Sequence, residues 1–342
     1  MHLVTTRKGL ICGTLTHISD KFMHRAQTNL EAQQVEQLRD SLQPFDPKTA
    51  IDIHANTGLR AYLDFYSLPK SSDNRALFGG YLNGDDQQTL LMVWQPAVSV
   101  GTAIVVHGYL DHTGLYGHLI ETLLDRGLTV VCYDLIGHGL SSGQPASIQD
   151  FSQYVSQLDQ VLNATAELCT APLHGLGQST GGAILLKQLI ECDNRETYPF
   201  ASLDLLAPLV QPKHWALNRW LFALTRPFRK TAKRVFRANS QDAAFLHFIR
   251  HIDPFQPHRL PSDWISAMAE WVAQIHDCTS SPFAINVIQG DNDSTLDWQH
   301  NIELLQRKFP HMRLHLIPGA GHQLVNEEAT LRQEIFAKLS LY

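Results

Sequence analysis

The sequence predicts an α/β fold: a mostly parallel central sheet with helices on both faces and a helical insertion late in the chain. Three observations predict it. Short continuous apolar runs end in glycine, as in TAIVVHG (102–108), which suits strands buried on both faces. Segments of helical spacing alternate with them, as in LYGHLIETLLDRG (115–127), and such alternation builds parallel sheets. The rhythm breaks across 208–276, where Trp, Phe, Arg and Pro crowd into runs that look helical rather than extended.

The elements follow in order. Residues 1–48 form a polar N-terminal extension containing EAQQVEQLRDSL (31–42), an amphipathic helix that ends before Pro44. RAYLDFYSL (60–68) and QTLLMVWQP (88–96) alternate in polarity and, with the turn-like NGDD at 83–86, predict an antiparallel hairpin or meander. TAIVVHG is the next strand, and the helix after it stops at Gly127. LTVVCYDLIGHG (128–139) is strand and loop. DFSQYVSQLDQVLNATAEL (150–168) is a helix capped by Ser147 or Asp150. PLHGLGQS (172–179) is strand and turn, GGAILLKQLIE (181–191) a helix and ASLDLLAP (201–208) a sixth strand. Alternation resumes with PFAINVIQG, HNIELLQRKF and MRLHLIPG after residue 281. The predicted layout is a core of 49–207 and 277–342 with a helical cap at 208–276, near the carboxyl ends of the strands, where ligands of such sheets bind.

Composition narrows the function. The chain has 342 residues, 44% apolar and 18% charged, enough to bury a sizeable core and unlike a disordered chain. A net charge of −6 argues against a polybasic nucleic-acid binder. Five cysteines, at 12, 132, 169, 192 and 278, show no C-x-x-C spacing, so a zinc ribbon or disulfide framework is not expected and reduced thiols in the cytosol fit best. No signal-length apolar segment and no run of 18 apolar residues occurs. The expected location is therefore cytoplasmic.

The chemistry centres on Gly177-Gln178-Ser179-Thr180-Gly181. It matches G-x-S-x-G between an apolar run and a helical one, the context in which a serine is projected from a strained turn. A serine hydroxyl needs a base, and the base an orienting acid. In this motif's fold the order along the chain is serine, acid, histidine. His322, after the last predicted strand and flanked by Gly319 and Gly321, is the expected base. After the strand ending at Gly290 come Asp291, Asp293 and Asp297. Asp293 is the expected acid, Asp291 a turn residue, and Asp297 a helix cap or substitute acid. Two N–H donors for an oxyanion are expected from the backbone of Thr180 and of Tyr109, with Gly108 allowing a tight turn and His107 packing the loop.

These segments resemble the α/β-hydrolase superfamily. HGYLDHTGLYGHL, YDLIGHGLSSG, LGQSTGG, APLV, VIQGDNDSTLDW and PGAGHQLVNE occur in its order, and they are most similar to the monoacylglycerol lipase and lysophospholipase group, also described as serine aminopeptidase-like. The resemblance covers about residues 55–342. It implies an α/β-hydrolase fold with a cap, no cofactor and no metal, and a serine esterase acting on a monoacyl lipid. Ser179 matches the nucleophile, Asp293 the acid and His322 the base; Tyr109 and Thr180 match the oxyanion positions. Asp134 and Gly137-His138-Gly139 match a scaffold turn. Leu110 departs, standing where many relatives have glycine, which would narrow the acyl pocket. The extension has no counterpart. Dehalogenases and epoxide hydrolases of this fold have aspartate at the nucleophile position, and Ser179 argues against both. An aminopeptidase or acyltransferase would use the same triad, and a non-catalytic binder would keep the fold; an acidic amine anchor near the cleft would mark the peptidase.

Residues 211–260 hold ten Lys and Arg (213, 219, 226, 229, 230, 233, 234, 237, 250 and 259) against Asp242 and Asp253, so the segment is +8 and the rest −14. With Trp215, Trp220, Phe222, Phe228 and Phe236 interleaved, it reads either as a surface that meets anionic lipid at the inner face of a membrane or as a solvated outer face. His247 and His251 lie one helical turn apart, but no third ligand accompanies them, so a packing or surface role is expected.

Overall fold

In the computed structural model, residues 32–84, 87–192, 195–225 and 230–341 are described. Strands β1 (Arg75–Asn83), β2 (Gln88–Pro96), β3 (Thr102–Val106), β4 (Thr129–Tyr133), β5 (Leu173–Gln178), β6 (Ser202–Leu206), β9 (Ile285–Gly290) and β10 (Arg313–Ile317) form one sheet in the order β1-β2-β4-β3-β5-β6-β9-β10. β1–β2 and β2–β4 pair antiparallel and the rest parallel. The central strands are apolar throughout because both faces are covered. Ala103, Val105, Val130 and Cys132 face one core, while Ile104, Val106, Val131 and Tyr133 face the other. The first core is closed by α2 (Thr57–Tyr66), α3 (Gly117–Asp125) and α10 (Ala329–Phe336). The second is closed by α4 (Ser152–Thr165), α5 (Thr180–Glu191), α8 (Ser262–Asp277) and α9 (Trp298–Lys308).

One predicted strand is a helix. RAYLDFYSL lies in α2, and the strand paired with QTLLMVWQP is RALFGGYLN. Burial at Leu59, Tyr62, Leu63 and Tyr66 repeats at i, i+3, i+4 and i+7, a helical stripe that overrides the local alternation. Asn56 starts this helix by accepting the Leu59 N–H at 2.9 Å, and Ser67 ends it with φ 52°. The hairpin closes with Gly84 N–H donating to Gln87 at 2.7 Å; Asp85 and Asp86 of the predicted turn lie outside the described residues. The α4 cap also differs in detail. Phe151 holds the cap position, and Asp150 accepts the Ser152 N–H at 2.5 Å.

From the extension, α1 (Ala32–Ser41) is described. Val35, Leu38 and Leu42 bury themselves in the first core. The chain then runs along the outer edge of β1. Phe45 N–H donates to Tyr81 O, and Tyr81 N–H to Gln43 O, both at 2.9 Å. Gly80 permits this approach, since a side chain there would strike the Gln43 carbonyl.

Between β6 and β9 lie α6 (Trp215–Thr225), a short antiparallel ribbon of β7 (Thr231–Lys233) with β8 (Arg259–Pro261), α7 (Ala243–His251) and α8. Trp264, Met268, Trp271, Val272 and Ile275 of α8 pack into the second core with the sheet. No described helix is long and apolar enough to cross a membrane.

The helical assignment of residues 57–66 gives a direct test. Asn56→Ala removes the cap of α2 and is expected to lower unfolding stability by about 1 kcal/mol, read from urea denaturation. An unchanged midpoint would mean that this end of the helix needs no cap.

Candidate active site

Ser179 sits between β5 and α5 with φ 52° and ψ −110°. This conformation is strained for a residue with a side chain. Three backbone bonds hold it: Ser179 N–H to Leu206 O at 2.8 Å, Leu209 N–H to Ser179 O at 2.9 Å, and Ala183 N–H to Ser179 O at 3.1 Å. The flanking glycines are there for space. A Cβ on Gly177 would enter the backbone of Gly181 and Gly182, and one on Gly181 would strike the Val106 carbonyl.

The three residues singled out in the sequence meet. His322 Nε2 lies 2.9 Å from Ser179 Oγ, and His322 Nδ1 lies 2.8 Å from Asp293 Oδ2. An ionised carboxylate only accepts hydrogen bonds, so Nδ1 carries the proton and Nε2 accepts from the serine hydroxyl. All three are buried, Ser179 at 9% exposure. Asp293 Oδ1 accepts the N–H groups of Thr295 at 2.7 Å and Leu296 at 3.0 Å, and Oδ2 also accepts from Gln289 Nε2 at 3.2 Å. Burial opposes charge on both partners. For Asp293 the facing imidazole and these donors outweigh it, and the pKa falls below the ordinary carboxylate value. For His322 burial is likewise outweighed by Asp293, and the pKa rises above the ordinary histidine value.

The other two aspartates are placed elsewhere. Asp291 accepts the Gly319 N–H at 2.7 Å in an exposed turn. Asp297 occupies the cap position of α9 without a capping bond and accepts from Gln211 Nε2 at 3.4 Å.

The loop after β3 comes against the serine. A Cβ built on Gly108 would lie 3.5 Å from Ser179 Cβ. His107 packs it. Its Nε2 accepts the Leu135 N–H and its Nδ1 donates to Gly108 O, both at 2.8 Å. Both ring nitrogens are occupied, and burial pushes its pKa well down. The Tyr109 ring stacks on Trp264 with centroids 3.5 Å apart, and its hydroxyl donates to Ala146 O at 2.8 Å. Leu110 has φ 68°, a left-handed conformation that costs a residue with Cβ about 1–2 kcal/mol. A glycine here would take it without strain. Asp134, fully buried, accepts the Thr113 and Leu140 N–H groups and so fixes the turn at Gly137–Gly139.

Several organising residues have no role that the sequence assigns, although most lie within the segments that carry the resemblance. Gln178 Nε2 donates to His322 O at 2.8 Å. Buried Glu327 accepts the Gly321 N–H at 2.6 Å and the Gln241 N–H at 2.7 Å. Asn239 O accepts from both His322 N and Gln323 N. Gln323 Nε2 donates to Asp111, which also accepts from Tyr116. The rings of His247 and His251 lie side by side on α7, tilted with centroids 4.9 Å apart, and among the described residues no group of three or more His, Cys, Asp or Glu is placed to hold a metal.

Known proteins share this arrangement of chain. The chain is 25% identical over 270 residues to a monoglyceride lipase homolog of Monkeypox virus, covering 76% of this chain and 95% of that protein. It is 26% identical over 250 residues to a monoacylglycerol lipase of Mycolicibacterium smegmatis, covering 69% and 86%. A soluble variant of the Saccharomyces cerevisiae monoglyceride lipase superposes with TM-score 0.66 at 18% identity, over 79% of this chain and 96% of that one, which shows a common fold. The family model described as serine aminopeptidase, S33, matches residues 98–329. The strand order, the serine turn and this match together place the chain in the serine aminopeptidase S33 family of α/β-hydrolases.

Proposed function

We propose that Ser179, His322 and Asp293 hydrolyse a monoacyl lipid, a monoacylglycerol or lysophospholipid, through an acyl-enzyme. The chain is a carboxylic ester hydrolase by family. The observation that carries the mechanism is the continuous path from Asp293 through His322 to Ser179 Oγ, with contacts of 2.8 and 2.9 Å. His322 takes the serine proton as Oγ attacks the ester carbonyl. Asp293 holds the tautomer and stabilises the imidazolium. The backbone N–H groups of Tyr109 and Thr180 receive the oxyanion, the second at the amino end of α5, where helix amides lack internal partners. His322 then protonates the leaving alcohol, and water repeats the cycle on the acyl-enzyme.

Two relatives over most of this chain are named for monoacylglycerol cleavage, which favours the lipid substrate over a peptide. Asp111, a buried carboxylate in the loop after β3, is no ready amine anchor. Its oxygens are taken by Gln323 and Tyr116, and burial pushes its pKa up. We further propose that the described residues 211–225 and 230–261 belong to the lid and that α8 belongs to the core layer. With Ser179 only 9% exposed, an acyl chain enters when this segment shifts. Leu217, Trp220 and Leu224 of α6 are exposed, as are Lys213, Arg219, Lys230 and Lys233. This pairing of apolar and basic side chains suits an anionic lipid surface. Arg234 is half-buried and bonded to Gln256, so it is not part of that surface; Arg226, Phe228 and Arg229 lie outside the described residues.

Ser179→Ala is expected to abolish hydrolysis and fluorophosphonate labelling in a folded protein. Retained turnover there would sink the mechanism. Asp293→Asn is expected to lower kcat by about 10⁴, and Asp297→Asn far less; the reverse order would move the acid to Asp297. The pH profile follows from the same pair. His322 works only when neutral, so kcat/KM should fall as pH drops through its raised pKa, above 6.5. In Asp293→Asn this limb should move to lower pH, and a limb that stays in place would separate His322 from Asp293. Neutralising Lys213, Arg219, Lys230 and Lys233 should weaken binding to phosphatidylserine vesicles by about 1 kcal/mol per charge at most. Turnover of a short soluble ester should not change. Unchanged vesicle binding would contradict a membrane role.

A further inference from the structure

The chain holds a second buried His–Asp pair outside the triad. His112 Nε2 lies 3.0 Å from Asp253 Oδ2, with the side chains 1% and 0% exposed. The two come from different parts of the molecule: His112 ends the loop after β3, and Asp253 follows α7 in the segment between β6 and β9. Every oxygen of Asp253 is employed. Oδ1 accepts from Tyr66 OH at 2.7 Å and from the Phe255 N–H at 3.2 Å. Oδ2 accepts from His112 and from Gln256 Nε2 at 2.7 Å, and Gln256 Oε1 in turn accepts from Arg234. The His112 ring is held edge-on by Tyr66 and Phe255, and its Nδ1 accepts the Gly114 N–H at 3.2 Å. That bond leaves the Nε2 proton for Asp253.

His112 closes the six-residue loop that begins at His107 and contains Tyr109. The loop's other end is fixed at the sheet, because His107 bonds Leu135 N–H and Gly108 O. Its middle is held by Tyr109 on Trp264, again from the segment after β6. The carboxylate of Asp253 therefore restrains the far end of the loop, beside Asp134 on the Thr113 N–H and Gln323 and Tyr116 on Asp111.

We infer that Asp253 is a positioning residue for the ester hydrolysis proposed above: through His112 it sets the loop that carries the Tyr109 amide. The oxyanion site is then complete only when the segment after β6 is seated. The inference rests on the hydrolase reading and adds a residue that touches neither substrate nor triad.

The test compares kcat and KM on p-nitrophenyl butyrate, normalised to active sites titrated with a fluorophosphonate. In Asp253→Ala, kcat per site should fall about 10- to 100-fold, the cost of displacing a reacting geometry by about an ångström, with KM within about twofold of wild type. Asp253→Asn keeps one acceptor for His112 and should recover part of the loss. Tyr66→Phe deletes a single hydroxyl, keeps the fold even if Asp253→Ala does not, and should lower kcat about threefold to tenfold. A folded Asp253→Ala with unchanged kcat, or a loss confined to KM, overturns the inference. So does an unchanged kcat in Tyr66→Phe. A wild-type protein that neither labels nor turns over removes the hydrolase reading as well, whereas a labelled, active wild type beside an unaffected Asp253→Ala removes this inference alone.

Discussion

The positive φ at Ser179 is the constraint around which the upper edge of the sheet is arranged. Such a conformation costs about 1–3 kcal/mol and persists only where neighbours over-determine it. Here β6 supplies a carbonyl, the residue after Pro208 supplies an amide, and α5 begins its ladder on the serine carbonyl. Each of these groups must come close, so Gly177 and Gly181 must lack side chains, and Val106 must end β3 within contact of the turn. The strain thus explains the glycines, the packing of β3 against β5, and the exit angle of α5 together.

Around this point the protein solves a burial problem. The loops at the carboxyl ends of the strands are withdrawn from water, yet their backbone amides and histidines stay polar, and unpaired polar groups there cost free energy. The pairing is done by side chains from distant parts of the chain: Asp134 for one turn, Glu327 for the His322 loop, Asp111 with Gln323 between two loops. The histidines show how environment separates like groups. His322 faces a carboxylate and its basicity rises, whereas burial with no carboxylate facing it pushes the pKa of His107 well down.

The sequence disclosed those features that rest on local pattern. Parallel strands buried on both faces are unbroken apolar runs, and a strained serine turn demands glycines at fixed spacing, so β3, β5 and Ser179 were readable. Asp293 was readable from its distance to the strand end, which geometry limits to a few residues. α2 was misread because Tyr62, Asp64 and Tyr66 alternate with apolar neighbours in the manner of a strand; only burial on one helical face distinguishes the two, and burial is a tertiary property. RALFGGYLN does not read as a strand because its two glycines dilute the pattern, although Gly80 is needed where Gln43–Phe45 run along its outer edge. Glu327, Gln323 and Asp253 were invisible for a related reason. Each matters through partners tens or hundreds of residues away, which single-sequence spacing does not encode.

The pairing of Gln43 and Phe45 with Tyr81 has a bearing on handling the protein. It closes part of the outer side of β1, while α1 packs on α2 in the first core. A version trimmed back to residue 49, where the family resemblance is about to begin, would leave the Tyr81 N–H and carbonyl on the outer edge of β1 without their partners. Such an edge is a template for another copy of itself. Trimming of this kind is expected to favour pairing between copies even with Ser179, His322 and Asp293 in place.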